Sequence, residues 1–340
     1  MRRGLKERAF PGAVLAVVHR DRLVVLGAVG RFTYDPDSPA VLPETIFDLA
    51  SVSKVVATTT MAMILYERGL LDLDAPLAGV VTEFASGDAR RRAITLRMLL
   101  AHSSGLPAYA RLYESARSKE ELFAAACRAP LESEPGARAA YSDIGFILLG
   151  EALARIAGDD LETFCRREIF GPLGMAHTCF RPPSQWKAKI PPTVDDRKFR
   201  QRVVQGEVHD ENASVLGGVA GHSGVFAPAG DVAAFASVLL GGGPPILRPE
   251  TVGLFTRRSD SPSGTSRALG WDTPSPPSQS GKCLSPRSFG HLGYTGASLW
   301  IDPERQLAVT LLSNRTWPDC GSQKIKELRP LLYDAVVEAL

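Results

Sequence analysis

The chain has 340 residues, 44% of them hydrophobic and 22% charged, the balance of a folded globular protein, which excludes disorder as its main state. Lysine and arginine total 39 against 37 aspartates and glutamates, so the net charge of +2 makes no electrostatic case for nucleic acid. Five scattered cysteines, with no C-x-x-C and no paired histidines, argue against a disulfide framework or a zinc site, and neither metal nor cofactor is expected.

The N-terminus begins basic, but Lys6, Glu7 and Arg8 interrupt it before any apolar run, and His19-Arg20-Asp21-Arg22 ends that run early. It does not read as a signal peptide, and no stretch of about 20 apolar residues offers a transmembrane span. No membrane partner is expected. A cytoplasmic location is the default expectation, although a periplasmic protein trimmed of its leader would read the same. Residues 12–19 (GAVLAVVH) and 23–29 (LVVLGAV) are β-branched runs on either side of a charged turn, a hairpin signal. Helical patterns follow at 53–68, 95–101, 119–128, 143–157, 160–170 and 230–240. Two long irregular segments, 181–215 and 257–290, read as functional rims. A second strand–turn–strand unit joins 297–302 to 307–313 through Pro303-Glu304-Arg305-Gln306, and 323–340 carries Ile325, Leu328, Leu332, Val336 and Leu340 at helical spacing. Strands at both ends with helices between them predict an α/β (α+β) fold, in which helices flank one antiparallel sheet built from both termini. The expected division is a sheet domain of 1–75 and 230–340, a mostly helical insertion of 76–229, and an active site at their interface.

Ser51 stands three residues before Lys54 at the head of the 53–68 run, where positions i and i+3 share a helix face. A serine hydroxyl needs such a base to become a nucleophile, and a helix N-terminus offers free N–H groups to a developing oxyanion. Alone the pattern is weak: Ser184-Gln185-Trp186-Lys187 repeats it in a proline-rich loop with no helix after it. Tyr141-Ser142-Asp143 precedes an apolar helix. It reads either as a proton relay beside a lysine or as a helix start with Asp143 as the capping carboxylate. Phe289-Gly290-His291-Leu292-Gly293-Tyr294-Thr295-Gly296 leads into a strand, its glycines marking either close approach of a ligand or a tight turn.

Taken in order, these elements resemble the serine β-lactamase and penicillin-binding-protein superfamily, and within it the class C-like branch that includes family VIII-type esterases. The resemblance spans nearly the whole chain through FPGAVLAVV, DLASVSKVVATTT, LLAHSSGLP, YSDIGFILLGE, IFGPLGM, VAGHSGVF and HLGYTGASLWIDPE. It implies a β-lactamase/transpeptidase-like fold and a two-step acyl transfer in which Ser51 is acylated, Lys54 is its base and Tyr141 shuttles the proton to the leaving group. It also implies that His291, Leu292 and Gly293 face the substrate, with the backbone N–H groups of Ser51 and Tyr294 as the oxyanion hole.

Two departures from the pattern bear on substrate. Penicillin-recognising members carry Lys-Thr-Gly where this chain has His291-Leu292-Gly293, and histidine is mostly neutral near neutral pH. Their second motif usually ends in asparagine. Asp143, when ionised, can only accept hydrogen bonds and fits better as an orienter of Lys54. The expectation is therefore a carboxylesterase for small acyl esters. The alternatives are a β-lactamase, D-alanyl-D-alanine carboxypeptidase or D-aminopeptidase, and a non-catalytic penicillin-binding-like sensor. The partner in either enzymatic case is a small-molecule ester or amide, with loops 181–215 and 257–290 expected to set its identity.

His102-Ser103-Ser104-Gly105 and Gly221-His222-Ser223-Gly224 place histidine beside serine, but no G-x-S-x-G elbow occurs, and both read as structural turns. His209-Asp210-Glu211-Asn212 reads as a loop bordering the cleft rather than a metal site. Tyr109 and Trp271 read equally as pocket walls or as packing.

Overall fold

Gly12–His19 (β1) is a run of small and β-branched residues buried over nearly its whole length, the signature of a strand covered on both faces. In the computed structural model, which describes residues 1–340, its alternate side chains serve two different cores. Val14, Ala16 and Val18 join the main core, whereas Ala13, Leu15 and Val17 join a second cluster with Trp300, Leu328 and Tyr333. Arg20 and Asp21, both at positive φ, form the tight turn into Arg22–Gly30 (β2).

Chain order continues through Ile46–Asp48 (β3), Cys179–Phe180 (β4), Val194–Asp196 (β5), Arg202–Val204 (β6), Val225–Pro228 (β7), Phe289–Leu292 (β8), Ser298–Asp302 (β9) and Leu307–Ser313 (β10). The principal sheet has the order β2-β1-β10-β9-β8 and is antiparallel throughout, with Ala13 opposite Ser313 and His19 opposite Leu307. The two termini thus meet at its centre. Helix Ala229–Leu240 packs against β1, β9 and β10, and the C-terminal helix Ile325–Glu338 buries Ile325, Leu328 and Leu332 in the second cluster.

A smaller sheet, β3-β7-β4, pairs Ile46–Asp48 with Val225–Pro228, so the stretch leading into Ser51 is anchored to the stretch after His222. Helix Asp143–Ala157 packs against the turn Lys54–Thr59 that follows Ser51, its Phe146 and Leu149 in the main core.

Several segments differ from their sequence reading. The 53–68 run is a wide π-type turn over Lys54–Thr59 followed by α-helix Thr60–Glu67, and 160–170 likewise changes from α-helix Leu161–Cys165 to a π-type turn Arg166–Phe170. The segment 181–215 is not irregular throughout: it holds a 3-10 helix Ser184–Lys189, the β5–β6 hairpin and helix Glu211–Val215. The short strands β3, β4 and β7 and helix Pro249–Thr256 carry no periodic signal long enough to read. No helix is long and apolar enough to cross a membrane.

Candidate active site

Where β3 ends, the chain turns sharply to present Ser51. Ala50 has φ 45°, a region L-residues rarely adopt, and a 3-10 turn Ala50–Val52 follows. Asp48 holds this turn. Its Oδ1 accepts the Ala50 N–H at 2.7 Å, its Oδ2 accepts the His209 N–H at 2.6 Å, and its backbone carbonyl accepts the Thr295 hydroxyl at 2.8 Å. One buried carboxylate therefore ties together the Ser51 turn and the entry to helix Glu211–Val215. Burial outweighs the two N–H donors and pushes this carboxyl up to about 6.

Lys54, fully buried, lies one turn beyond Ser51. Its Nζ is 3.1 Å from Ser51 Oγ, 2.6 Å from Asp143 Oδ1 and 2.9 Å from the carbonyl oxygen of His222. The Tyr141 hydroxyl lies 2.6 Å from the same Ser51 Oγ and 3.0 Å from the same Asp143 oxygen, which closes a four-membered ring of contacts. Burial pulls the Lys54 ammonium below its ordinary range, with the Asp143 charge opposing it. Burial, reinforced by Asp143, pushes the Tyr141 phenol well above its ordinary range.

Ser142, not Asp143, caps the following helix: its Oγ accepts the Gly145 N–H at 2.9 Å. That leaves the Asp143 carboxylate for Lys54. The Ser142 N–H donates to His102 Nδ1 at 3.1 Å, so His102 carries its proton on Nε2. Its ring stacks 4.8 Å from Tyr141 and 4.9 Å from Phe146, and burial lowers its basicity well below normal. His102, readable from sequence only as a turn residue, supports the tyrosine loop.

The opposite wall comes from β8. A Cβ on Gly290 would overlap Trp300 and the Leu299 carbonyl, and one on Gly293 would meet the Leu49 carbonyl, so both glycines permit close packing beside the Ser51 turn. His291 is 3% exposed, with Nδ1 donating to the Leu292 carbonyl at 2.8 Å and Nε2 unpartnered. Burial, followed by the charges of Lys54 and Arg267, holds it well below its ordinary pKa, so it is neutral. The Tyr294 N–H has no acceptor within the chain, and the Ser51 N–H sits in the first turn of its 3-10 helix.

These walls enclose a pocket of about 660 Å³ lined by Ser51, Tyr141, Asp143, His291, Gly293 and Tyr294, with Lys54 behind it. Two further contributors escape a sequence reading: His222, whose Nε2 lies 2.8 Å from Oδ1 of Asp210 in the stretch expected to border the cleft, and Arg267 from the 257–290 segment. Burial alone would raise the Asp210 carboxyl, but His222 and the Ala213 N–H hold it at about 2. His209 and Glu211 also border the cavity, as does Tyr109; Trp271 does not, being buried edge-on to Phe289 at 5.0 Å. Ser184 and Lys187 lie on their 3-10 helix outside the pocket lining. No group of three or more His, Cys, Asp or Glu side chains is arranged to hold a metal ion.

The beta-lactamase family profile matches residues 1–328. A protein of Escherichia coli O157:H7 provisionally named as a D-alanyl-D-alanine carboxypeptidase is 31% identical, the alignment covering 91% of this chain and 79% of the relative. The N-acetylmuramyl-L-alanine amidase of Bacillus subtilis (strain 168) is 32% identical over 90% of this chain and 77% of its own. Among solved structures, EstCE1, a hydrolase with promiscuous acyltransferase activity, aligns with a TM-score of 0.79 at 23% identity, covering 99% of this chain and 96% of that one. The class C beta lactamase from Rhodobacter sphaeroides aligns with a TM-score of 0.74 at 23% identity, covering 98% and 97%. At that identity the likeness is one of fold.

Proposed function

The chain belongs to the beta-lactamase family and is a serine hydrolase, and we propose that it is a carboxylesterase acting on small acyl esters through a covalent acyl-Ser51. The observation that carries this reading is the contact set of Lys54. A neutral lysine has two N–H donors and one lone pair. Asp143 Oδ1 and the His222 carbonyl are acceptors for the two donors, which leaves the lone pair directed at Ser51 Oγ, 3.1 Å away. Burial of Lys54 favours that neutral form.

In the acylation step the Ser51 proton passes to Lys54 as the Oγ–carbonyl bond forms, and the N–H groups of Ser51 and Tyr294 receive the oxyanion. The bond to the leaving oxygen then breaks. Tyr141, 2.6 Å from Ser51 Oγ, relays the proton to that oxygen, and water repeats the sequence to release the acid. We read residues 1–75 and 230–340 as the sheet domain supplying Ser51 and His291, and 76–229 as the insertion supplying Tyr141 and Asp210.

A neutral His291 at the position of the family's lysine supports esters over β-lactams. The names of the relatives favour a second reading, hydrolysis of an amide in a peptide-like substrate. Turnover of p-nitrophenyl acetate and butyrate, measured beside nitrocefin and a D-alanyl-D-alanine peptide, separates the two. Ester hydrolysis lost in Ser51→Ala is the result expected. Peptide turnover outrunning ester turnover would favour the second reading.

A further inference from the structure

We propose that β2 is a dimerisation edge: a second copy of this chain pairs antiparallel with it across a twofold axis near Val25, joining the two five-stranded sheets into one continuous sheet.

The principal sheet ends on β8 at one side and on β2 at the other, and the two edges are finished differently. On the β8 side, Asp272 bridges Gly290 and covers the strand. On the β2 side, cover is confined to the far end, where Gly30 accepts the Val41 N–H and Arg31 bridges Ala40. Residues 22–29 make no backbone hydrogen bond except to β1. A strand edge in this state presents a row of free N–H and C=O groups, which natural proteins usually guard with lysine, proline or a very short edge. β2 is nine residues long, RLVVLGAVG, with neither lysine nor proline, and its single charge is at Arg22, the first residue.

Exposure singles out the same stretch. Leu23, Val24, Val25 and Leu26 are consecutive and each is 40–49% exposed, so apolar side chains meet solvent on both faces of the strand. A helix or a flat surface laid against them would cover one face. A partner strand covers both.

A second copy is the strand that fits. Antiparallel self-pairing sets Leu23-Val24-Val25-Leu26-Gly27 against itself, apolar on apolar, with no charge inside the contact. It also lays the 20–22 turn of each copy beside the loop that follows β2 in the other. Arg20, Asp21 and Arg22 sum to one positive charge, and Arg31, Asp35 and Asp37 to one negative. Arg20, Arg22, Asp35 and Asp37 are all exposed and form no ion pair within their own chain, so each end of the interface brings free opposite charges together. The pocket borders β8, at the far edge of the sheet, and pairing through β2 leaves it open in both copies.

The test is sedimentation equilibrium of the wild-type chain over roughly 1–100 μM, concentrations that populate a micromolar dimer. A mass rising toward twice that of the chain is expected. Val24→Lys combined with Leu26→Lys sets like charges across the axis and should leave a monomer at every concentration. Its ester turnover should be unchanged, because neither residue lines the pocket. Arg22→Glu and Asp37→Lys should each weaken the dimer severalfold, and their equimolar mixture should restore it, since opposite charges then meet again at both ends. These two exposed positions decide the question even if the lysine variant fails to fold. A wild type that stays monomeric, including one that binds lipid vesicles instead, overturns the proposal. So does a dimer that survives the two lysines, or a mixture no stronger than its parts.

Discussion

Lys54 Nζ lies 2.9 Å from the backbone carbonyl oxygen of His222, a contact across 168 residues that aims the lysine at Ser51. The Gly221-His222-Ser223-Gly224 turn therefore supplies a carbonyl rather than a catalytic imidazole. The imidazole of His222 is turned to Asp210.

This geometry predicts the effect of crowding the turn. Gly221 rests on helix Asp143–Ala157, where an added Cβ would overlap the Phe146 carbonyl and the Gly150 Cα. Gly221→Ala should push the His222 carbonyl off Lys54, lowering kcat at least tenfold, with a loss of about 1–3 kcal/mol in stability from overpacking. Steady-state kinetics and urea unfolding check both. Unchanged kcat would show that this carbonyl does not orient the lysine.

Removing the base itself should cost more. Lys54→Met keeps the buried stem but deletes the amine, and kcat should fall by roughly 10²–10⁴. The Asp143 carboxylate loses its cation, so the melting temperature should drop as well; Lys54→Met combined with Asp143→Asn should recover part of that loss. Calorimetry on the single and double variants measures it.

Asp143 sets where Lys54 titrates. Burial lowers the lysine and the Asp143 charge raises it, so Asp143→Asn removes the opposing influence. The neutral base then persists to lower pH, and the acidic limb of kcat/KM should move to lower pH. A limb that moves up would reverse the sign of this coupling.

The strands at the two ends were legible because β1, β2, β9 and β10 are long enough to show β-branched runs bounded by turns. Ser51 with Lys54, and Tyr141 with Asp143, were legible as local patterns, and the structure brings these four side chains to one point. Whether Asp143 capped its helix or faced the lysine was open in sequence, because Ser142 is an equally good cap and only packing chooses. His102, Asp210, His222 and Arg267 were not readable as a group. His102 meets Ser142 across 40 residues and the His222 carbonyl meets Lys54 across 168, and in isolation each of the four sits in a stretch with no period. Asp48 was hidden for the same reason: its partner is the His209 N–H, 161 residues away.

Asp48 also predicts a pH dependence of stability. Its carboxyl is raised to about 6 in the folded chain, from an ordinary value of 3.8. The sign for a raised carboxyl is that its favourable contribution is complete below the unfolded value and lost as pH rises through the folded one. From about pH 4 to pH 7, wild type should lose up to about 3 kcal/mol relative to Asp48→Asn. Denaturant unfolding across that range measures the difference, and a flat difference would contradict it.

The central claim is that Ser51 carries the acyl group. Brief reaction with a fluorophosphonate, or with p-nitrophenyl butyrate quenched in acid, followed by peptide mass spectrometry, tests it most directly. The account predicts a single adduct on the peptide containing Ser51, absent in Ser51→Ala together with ester turnover. An adduct on another residue, or undiminished turnover by Ser51→Ala, would contradict it.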